Sequence, residues 1–151
     1  MVNSEPNAVP FAATFDPAGN LVVAETGLGA LVTFSLSPSG VAIELDAAAT
    51  GQAATCWVVA VNGNLYASNA GSASLSQFQD TSNGILSLEG QTSTDPGTVD
   101  AAGAADGSFL YVQTGANGIV DEFHVAANGS LSPIGSVTVA GAAGGEGIVA
   151  F

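Results

Sequence analysis

Gly19-Asn20-Leu21-Val22-Val23 is the first of three similar stretches, which continue with Gly63-Asn64-Leu65-Tyr66-Ala67 and Gly107-Ser108-Phe109-Leu110-Tyr111. Each stretch begins 44 residues after the previous one. A glycine turn that leads into an apolar run is typical of a hairpin entering a β-strand. Because the spacing is constant, the chain is predicted to use one structural unit three times.

The first unit contains four short apolar segments separated by turn signals. The segments are 11–15, 21–25, 31–36 and 41–45, and the turns between them contain Asp16-Pro17, Gly27 to Gly29 and Ser37-Pro38. Segments of this length joined by tight turns predict an antiparallel meander of four strands. No segment favours a helix over a strand, so an all-β fold is expected.

An aromatic residue recurs in the third segment of each unit, at Phe34, Phe78 and Phe123. The first interval is 44 residues and the second is 45. We interpret the three rings as one core position used three times. The additional residue of the last unit is expected between Gly115 and Phe123, in the turn before the third strand.

A repeat of roughly 40–45 residues with four short strands is typical of a β-propeller blade. The sequence therefore predicts three blades, over about 11–51, 52–96 and 97–141. Residues 1–10 are polar and contain proline, which favours an extended or loosely ordered N-terminal arm. Residues 144–151 resemble the first strand of a further blade and are predicted to form a terminal strand.

Three blades form an open arc, which leaves apolar surface on the outer faces of the first and last blades. Monomeric proteins rarely expose apolar patches above a few hundred Å². The chain is therefore expected to associate with itself. A homodimer that forms a six-bladed ring is the favoured arrangement, and a larger ring or a filament is the alternative.

The charge composition limits the partners of the protein. The chain has no Lys or Arg and 13 Asp plus Glu, which gives a formal charge of −13. Without a basic patch, nucleic acid and anionic membranes are excluded as partners, and no cationic clamp for phosphate can form. An acidic surface selected by the source organism and an engineered removal of cations both fit this composition.

Cys56 is the only cysteine and lies among apolar residues, so a buried, unreactive thiol is expected. The chain contains no metal-ligand spacing and no phosphate-binding loop, and neither a metal nor another cofactor is expected. Neither a signal peptide nor a transmembrane stretch is evident, so these residues do not identify the native compartment.

Several stretches, taken in their order along the chain, resemble the C-terminal blades of the bacterial lactonase family of seven-bladed propellers, the 6-phosphogluconolactonase-like proteins. They include Phe15-Asp16-Pro17, Ala54-Thr55-Cys56-Trp57, Leu110-Tyr111-Val112 and Asn128-Gly129-Ser130-Leu131-Ser132-Pro133. Members of the family are more than twice as long as this chain. The resemblance implies three blades of such a propeller and a lactone hydrolase as one candidate function. Phosphorylated substrates are not expected, because the basic residues that hold the phosphate are missing.

Six residues are candidates for a site. Asp100 lies in the innermost strand of the third unit and Glu25 ends a second strand, so both are candidate catalytic carboxylates. Trp57, Asn69, Glu146 and His124 are the candidate substrate-binding residues. For each of the six, a structural or solvated side chain is the competing interpretation.

Position in the repeat is the reason for these choices. Trp57 occupies the innermost strand of its unit, as Asp100 does, and Asn69 ends a second strand like Glu25. Glu146 lies between glycines, which allow close backbone approach. Strand alternation places His124 on the face opposite Phe123.

Two function classes follow from the sequence. In the first, the chain is an assembling module with little or no catalytic activity. In the second, the assembled ring hydrolyses a lactone or ester at a carboxylate-lined rim or channel, with Asp100 and Glu25 activating water. The missing cations make an oxyanion site harder to build, which favours the assembling module.

Overall fold

The computed structural model describes residues 2–81 and 83–151, which contain twelve β-strands. The first sheet comprises β1 (Pro10–Phe15), β2 (Leu21–Glu25), β3 (Ala30–Leu36) and β4 (Ala42–Ala49). The second comprises β5 (Thr55–Val61), β6 (Asn64–Asn69), β7 (Ser74–Asp80) and β8 (Leu86–Ser93). The third comprises β9 (Thr98–Gly103), β10 (Phe109–Thr114), β11 (Ile119–Val125) and β12 (Leu131–Thr138). Across these two ranges no helix is long and apolar enough to cross a membrane.

The strands of each sheet lie side by side in chain order, and each is antiparallel to the next. This arrangement confirms the predicted all-β class and the four-stranded meanders. The first strands of neighbouring sheets pack together, β1 beside β5 and β5 beside β9. We call the sheets blades 1, 2 and 3. The face of a blade that points to the preceding blade is its leading face, and the opposite face is its trailing face.

The hydrophobic core lies between the blades. At the first junction, the trailing face of blade 1 packs on the leading face of blade 2, with Val22, Ala24 and Leu31 against Leu65, Ala67 and Phe78. At the second junction, the trailing face of blade 2 packs on the leading face of blade 3, with Tyr66 and Leu75 against Leu110, Val112 and Phe123. Each blade therefore depends on its neighbours to bury its apolar residues.

The recurring phenylalanines all lie in the core, as predicted. Phe34, Phe78 and Phe123 are 5%, 0% and 2% exposed. Phe78 and Phe123 belong to the two junctions. Phe34 lies on the leading face of blade 1, where no blade precedes it in this chain, and packs with Val23 and Val32. A different element must therefore cover Phe34.

The N-terminal arm, residues 2–7, lies against this face. Asn3 donates from Nδ2 to the carbonyl of Gly40 at 2.9 Å and accepts from the amide of Ala42 at 3.1 Å. Asn3 and Glu5 line a groove of about 200 Å³ together with residues of the leading face, including Phe34. Through Asn3, the arm therefore satisfies one carbonyl and one amide of blade 1.

The additional residue of blade 3 lies in a different turn from the predicted one. Leu65 pairs with Phe78 and Leu110 pairs with Phe123, so Leu110 rather than Phe109 corresponds to Leu65. The β9–β10 turn before Leu110 is two residues longer than the β5–β6 turn, since six residues separate Gly103 from Leu110 and four separate Ala60 from Leu65. An exposed turn accepts extra residues. An extra residue inside a strand would instead move every later side chain of that strand to the opposite face of the sheet.

Residues 144–151 do not form the predicted terminal strand. The segment follows blade 3 and is held by the amide of Gly144, which donates to the carbonyl of Gly115 at 2.7 Å. Further along, the amide of Ile148 donates to Asp100. A β-strand needs backbone hydrogen bonds to a paired strand, and within 2–81 and 83–151 no strand pairs with this segment.

Candidate functional site

The register places Ala12, Trp57 and Asp100 at the same position of the three inner strands. In each strand, the residue that follows pairs with an equivalent residue of the second strand. These pairs are Ala13 with Val23, Val58 with Ala67 and Ala101 with Val112. This equivalence agrees with the interpretation of Asp100 as an inner-strand residue. The inner strands β5 and β9 line a cavity of about 430 Å³, together with Ile148 to Ala150 of the C-terminal segment.

Asp100 uses both carboxylate oxygens within the chain. Oδ1 accepts from the amide of Ala101 at 2.8 Å, and Oδ2 accepts from the amide of Ile148 at 3.1 Å. Hydrogen bonds from backbone amides to a carboxylate are stronger than bonds between neutral groups. Asp100 therefore fixes the C-terminal segment to the inner strand of blade 3.

We expect the variant Asp100→Ala to release this segment. Loss of the acceptor should raise the hydrogen-exchange rate of the Ile148 amide by about fivefold, because a net hydrogen bond contributes about 1 kcal/mol. Exchange measured by mass spectrometry on peptides covering 144–151 tests this result. Asp106→Ala is the matched control, since Asp106 follows the same strand and its carboxylate accepts only from the amide of Ser108. Equal exchange in wild type and Asp100→Ala would contradict the anchoring role.

Trp57 is half-buried and packs against Phe11 of blade 1, with ring centroids 5.6 Å apart and planes inclined at 56°. The Phe11 ring is 58% exposed. The pair forms an apolar surface between the inner strands of blades 1 and 2. Next to it, Cys56 is buried as predicted, and burial raises the pKa of its thiol above the ordinary value.

Glu25 ends β2 on the leading face of blade 1 and is only 2% exposed. Burial raises its pKa, and the nearby charges of Glu5 and Glu44 add to this effect. Glu25 lines the groove beneath the arm, whereas Asp100 holds the C-terminal segment on blade 3. The structure therefore does not bring the two candidate catalytic carboxylates into one site.

Asn69 is fully buried and has structural partners. Its Oδ1 accepts from the hydroxyl of Thr55 at 2.8 Å, and its Nδ2 donates to Ser76 at 3.0 Å and to Ser74 at 3.3 Å. These bonds tie together the three strands β5, β6 and β7. Asn69 thus offers no free polar atom to a substrate in this arrangement.

Glu146 and His124 are exposed, and Glu146 lies near enough to Cys56 that its charge contributes to the raised pKa of that thiol. Glu146 belongs to the C-terminal segment, outside any strand. His124 lies on β11, where its ring meets that of Phe109 edge-on at a centroid distance of 5.9 Å. Across the two described ranges, no group of three or more His, Cys, Asp and Glu side chains is arranged to hold a metal ion.

A carboxyl pair that the sequence did not predict joins blades 1 and 2. Asp16 begins the β1–β2 turn and is buried, and Asp80 ends β7. Burial raises the pKa of Asp80 to about 7, with further contributions from the hydrogen bond to Asp16 and from its charge. The pair therefore holds one proton close to neutral pH.

The other member of the pair is held in its charged form. Burial disfavours the charge of Asp16, but its hydrogen bonds with Asp80, Asn20 and Ala18 outweigh burial and lower its pKa. Asn20 donates to Asp16 from its backbone amide and from its Nδ2, both at 2.7 Å. A depression of about 390 Å³ adjoins the pair at Asp80.

A similar contact joins the β8–β9 loop to blade 3. The amide of Asp95 donates to the Oδ2 of Asp121 at 2.7 Å. Burial raises the pKa of Asp121, although the amide acts in the opposite direction, and the nearby charge of Asp95 raises it further. In a chain without Lys or Arg, a backbone amide thus stabilises the charge of a buried carboxylate such as Asp121.

No protein family and no curated protein sequence matches this chain. Solved structures do match. A protein of Lactobacillus plantarum superposes with a TM-score of 0.81 at 18% identity, over 85% of this chain and 41% of its own. The periplasmic gluconolactonase of Pseudomonas aeruginosa superposes with a TM-score of 0.73 at 19% identity, over 88% of this chain and 43% of its own. The chain has a β-propeller fold.

A further propeller match is a Bacteroides uniformis protein that carries the name 6-phosphogluconolactonase. Its TM-score is 0.78 at 18% identity, over 90% of this chain and 45% of its own. The propeller segment described here therefore spans less than half the length of these structures. Identities this low establish the fold, and the same fold can support different activities.

Proposed function

We propose that this chain is a self-associating propeller segment with little or no catalytic activity, which completes its blade arrangement with a second copy. In the favoured form, two chains join blade 3 of each to blade 1 of the other and close a six-bladed ring. The same contact between successive copies would give a larger ring or a filament if the rotation does not close. Each chain of 151 residues then supplies three blades.

The trailing face of blade 3 is the observation that carries this proposal. Tyr111 pairs with Glu122 as Tyr66 pairs with Gln77, so the two tyrosines correspond. Tyr66 is fully buried by blade 3, whereas Tyr111 is half-buried, since none of the three described blades packs on the trailing face of blade 3. Blade 3 therefore carries a tyrosine at the position that blade 2 uses to pack on its neighbour, but no described blade packs on this tyrosine.

Two neighbouring residues support the same face. Val120 corresponds to the buried Leu75 and is half-buried. Gln113 corresponds to Ser68, and its Oε1 is buried without a hydrogen-bond partner in the ranges 2–81 and 83–151. A packed blade would cover the apolar residues and could supply a donor to this oxygen.

Lactone or ester hydrolysis has less support from the geometry. Glu25 lies beneath the arm on blade 1, and both oxygens of Asp100 on blade 3 accept from backbone amides. A general base must reach the proton that it removes. The proposed module therefore uses these carboxylates for structure.

The experiment is a mass measurement in solution over a range of concentrations at physiological salt. Wild type is expected to reach the mass of two chains, and Val120→Glu to stay monomeric because a charge would be buried in the new junction. Leu88→Glu is the matched control, since Leu88 is an exposed apolar residue on the outer strand of blade 2. Association should also strengthen with added salt, which screens the −13 charge of each copy. A wild-type monomer under all these conditions would refute the proposal.

A further inference from the structure

The leading face of blade 1 is in contact with the N-terminal arm. In the proposed association, blade 3 of a second copy packs on this same face. Val23, Phe34 and Glu25 are each at most 9% exposed on this face. Asn3 and Glu5 of the arm line the groove on this face, and none of the three described blades packs there. The way in which the arm binds therefore bears on how the face is used.

The first junction shows how a blade forms hydrogen bonds with the turn between the third and fourth strands of the next blade. In blade 2, this turn contains Gly84 and leads to Leu86 at the start of β8. The hydroxyl of Thr33 on blade 1 donates to the carbonyl of Gly84 at 2.5 Å. The Oδ2 of Asp46 on blade 1 accepts from the amide of Leu86 at 2.8 Å. One carbonyl and one amide of the turn are thus satisfied from the trailing face of the preceding blade.

The arm makes the same two contacts on blade 1. Gly40 and Ala42 correspond to Gly84 and Leu86, since each pair is separated by 44 residues. The amide side chain of Asn3 donates to the carbonyl of Gly40 and accepts from the amide of Ala42. One side chain therefore does on blade 1 what Thr33 and Asp46 do together on blade 2.

The second junction indicates which residue of a second copy fits the same carbonyl. The hydroxyl of Tyr66 donates to the carbonyl of Gly129 at 2.7 Å, and Gly129 is the glycine of the corresponding turn in blade 3. Tyr111 holds the position of Tyr66 on the open trailing face of blade 3. Packed on blade 1 of another copy, the Tyr111 hydroxyl would therefore meet the carbonyl of Gly40.

We infer that the arm occupies the docking surface of blade 1 in place of a preceding blade, and that Tyr111 of a second copy displaces Asn3 from the carbonyl of Gly40. This inference rests on the proposed self-association. The arm is a competitor for the association surface, so it protects the apolar face of a single chain and weakens assembly. The groove of about 200 Å³ left beneath the arm indicates that its fit is less complete than that of a blade.

The test compares dissociation constants from sedimentation velocity for wild type, Asn3→Ala and Tyr111→Phe. Asn3→Ala should tighten association by about tenfold or more, because the arm loses two hydrogen bonds of about 1 kcal/mol each. Tyr111→Phe should weaken it by about thirtyfold in a ring that contains two such contacts of about 1 kcal/mol each. Asn83→Ala is the matched control, since Asn83 is exposed in the corresponding turn of blade 2. Asn3 is exposed, so its substitution should not prevent folding.

The outcomes separate this inference from the proposed function. If wild type associates but Asn3→Ala leaves the constant unchanged or weakens association, the competition by the arm is refuted and self-association stands. If neither wild type nor Asn3→Ala associates, both proposals fail. Hydrogen exchange gives a second readout, because the amides of residues 2–7 should exchange faster in the assembled state than in the monomer.

Discussion

Truncation of Phe78 to alanine is expected to lower the unfolding free energy by about 3–5 kcal/mol, the usual cost of removing a buried phenylalanine ring. Phe78 is fully buried between blades 1 and 2, where the cavity has packed side chains on both sides. In a domain of this size the melting temperature should fall by about 10 °C. Urea and thermal unfolding followed by circular dichroism measure both quantities.

Phe34→Ala is the informative comparison, because Phe34 holds the same position in blade 1 and is covered by the arm instead of a blade. Its loss should cost about 1.5–3 kcal/mol, since the arm can collapse onto the vacated space. Both variants are compared at concentrations where the chain is monomeric, because association would stabilise the folded state. Equal losses would show that the arm packs Phe34 as firmly as a blade packs Phe78.

Asp80→Asn is expected to stabilise the protein at pH 8 and to leave its stability at pH 4 almost unchanged. The folded state raises the pKa of Asp80 from 3.8 to about 7. Its stabilising contribution is therefore fully present below pH 3.8 and is lost as the pH rises through 7. Asparagine keeps a donor near Asp16 and carries no charge at any pH. The gain at pH 8 should be about 1–2 kcal/mol, because solvent screening reduces the effect of a partly exposed group.

Glu89→Gln is the control for the change in net charge. Glu89 is exposed on β8, and its substitution removes one negative charge without touching the carboxyl pair. Unfolding free energies of the three proteins at pH 4, 6 and 8 show whether the Asp80 effect grows with pH while the control stays flat. A benefit of Asp80→Asn that is the same at pH 4 and pH 8 would contradict the shared proton.

The fold could be predicted because its signals are local. Each strand pairs with the next strand in the chain, so turn chemistry and segment length suffice to define a sheet. The phenylalanine spacing then identified the core position. The register of blade 3 was missed because Gly107 and Gly115 suggested equal spacing on both sides of β10. In the structure, the turn before Leu110 absorbs the extra residue.

The candidate site was harder to predict, because it depends on contacts between blades. Asp16 and Asp80 are 64 residues apart, and Asp16 reads in sequence as an ordinary turn residue. The absence of Lys and Arg was the available signal, since buried carboxyls then have no cation as a partner. The function of Asn3 was also hidden, because a polar segment next to a proline gives no indication of which turn it contacts.

The order of the strands has a consequence for synthesis of the chain. Each sheet is complete within about 40 consecutive residues, and no sheet takes a strand from another part of the chain. A blade can therefore fold as soon as its own residues have left the ribosome. Of the three described blades, blade 1 emerges first, and the arm that contacts its leading face has already been synthesised by then. The arm can thus shield this face from other nascent chains before blades 2 and 3 have been made.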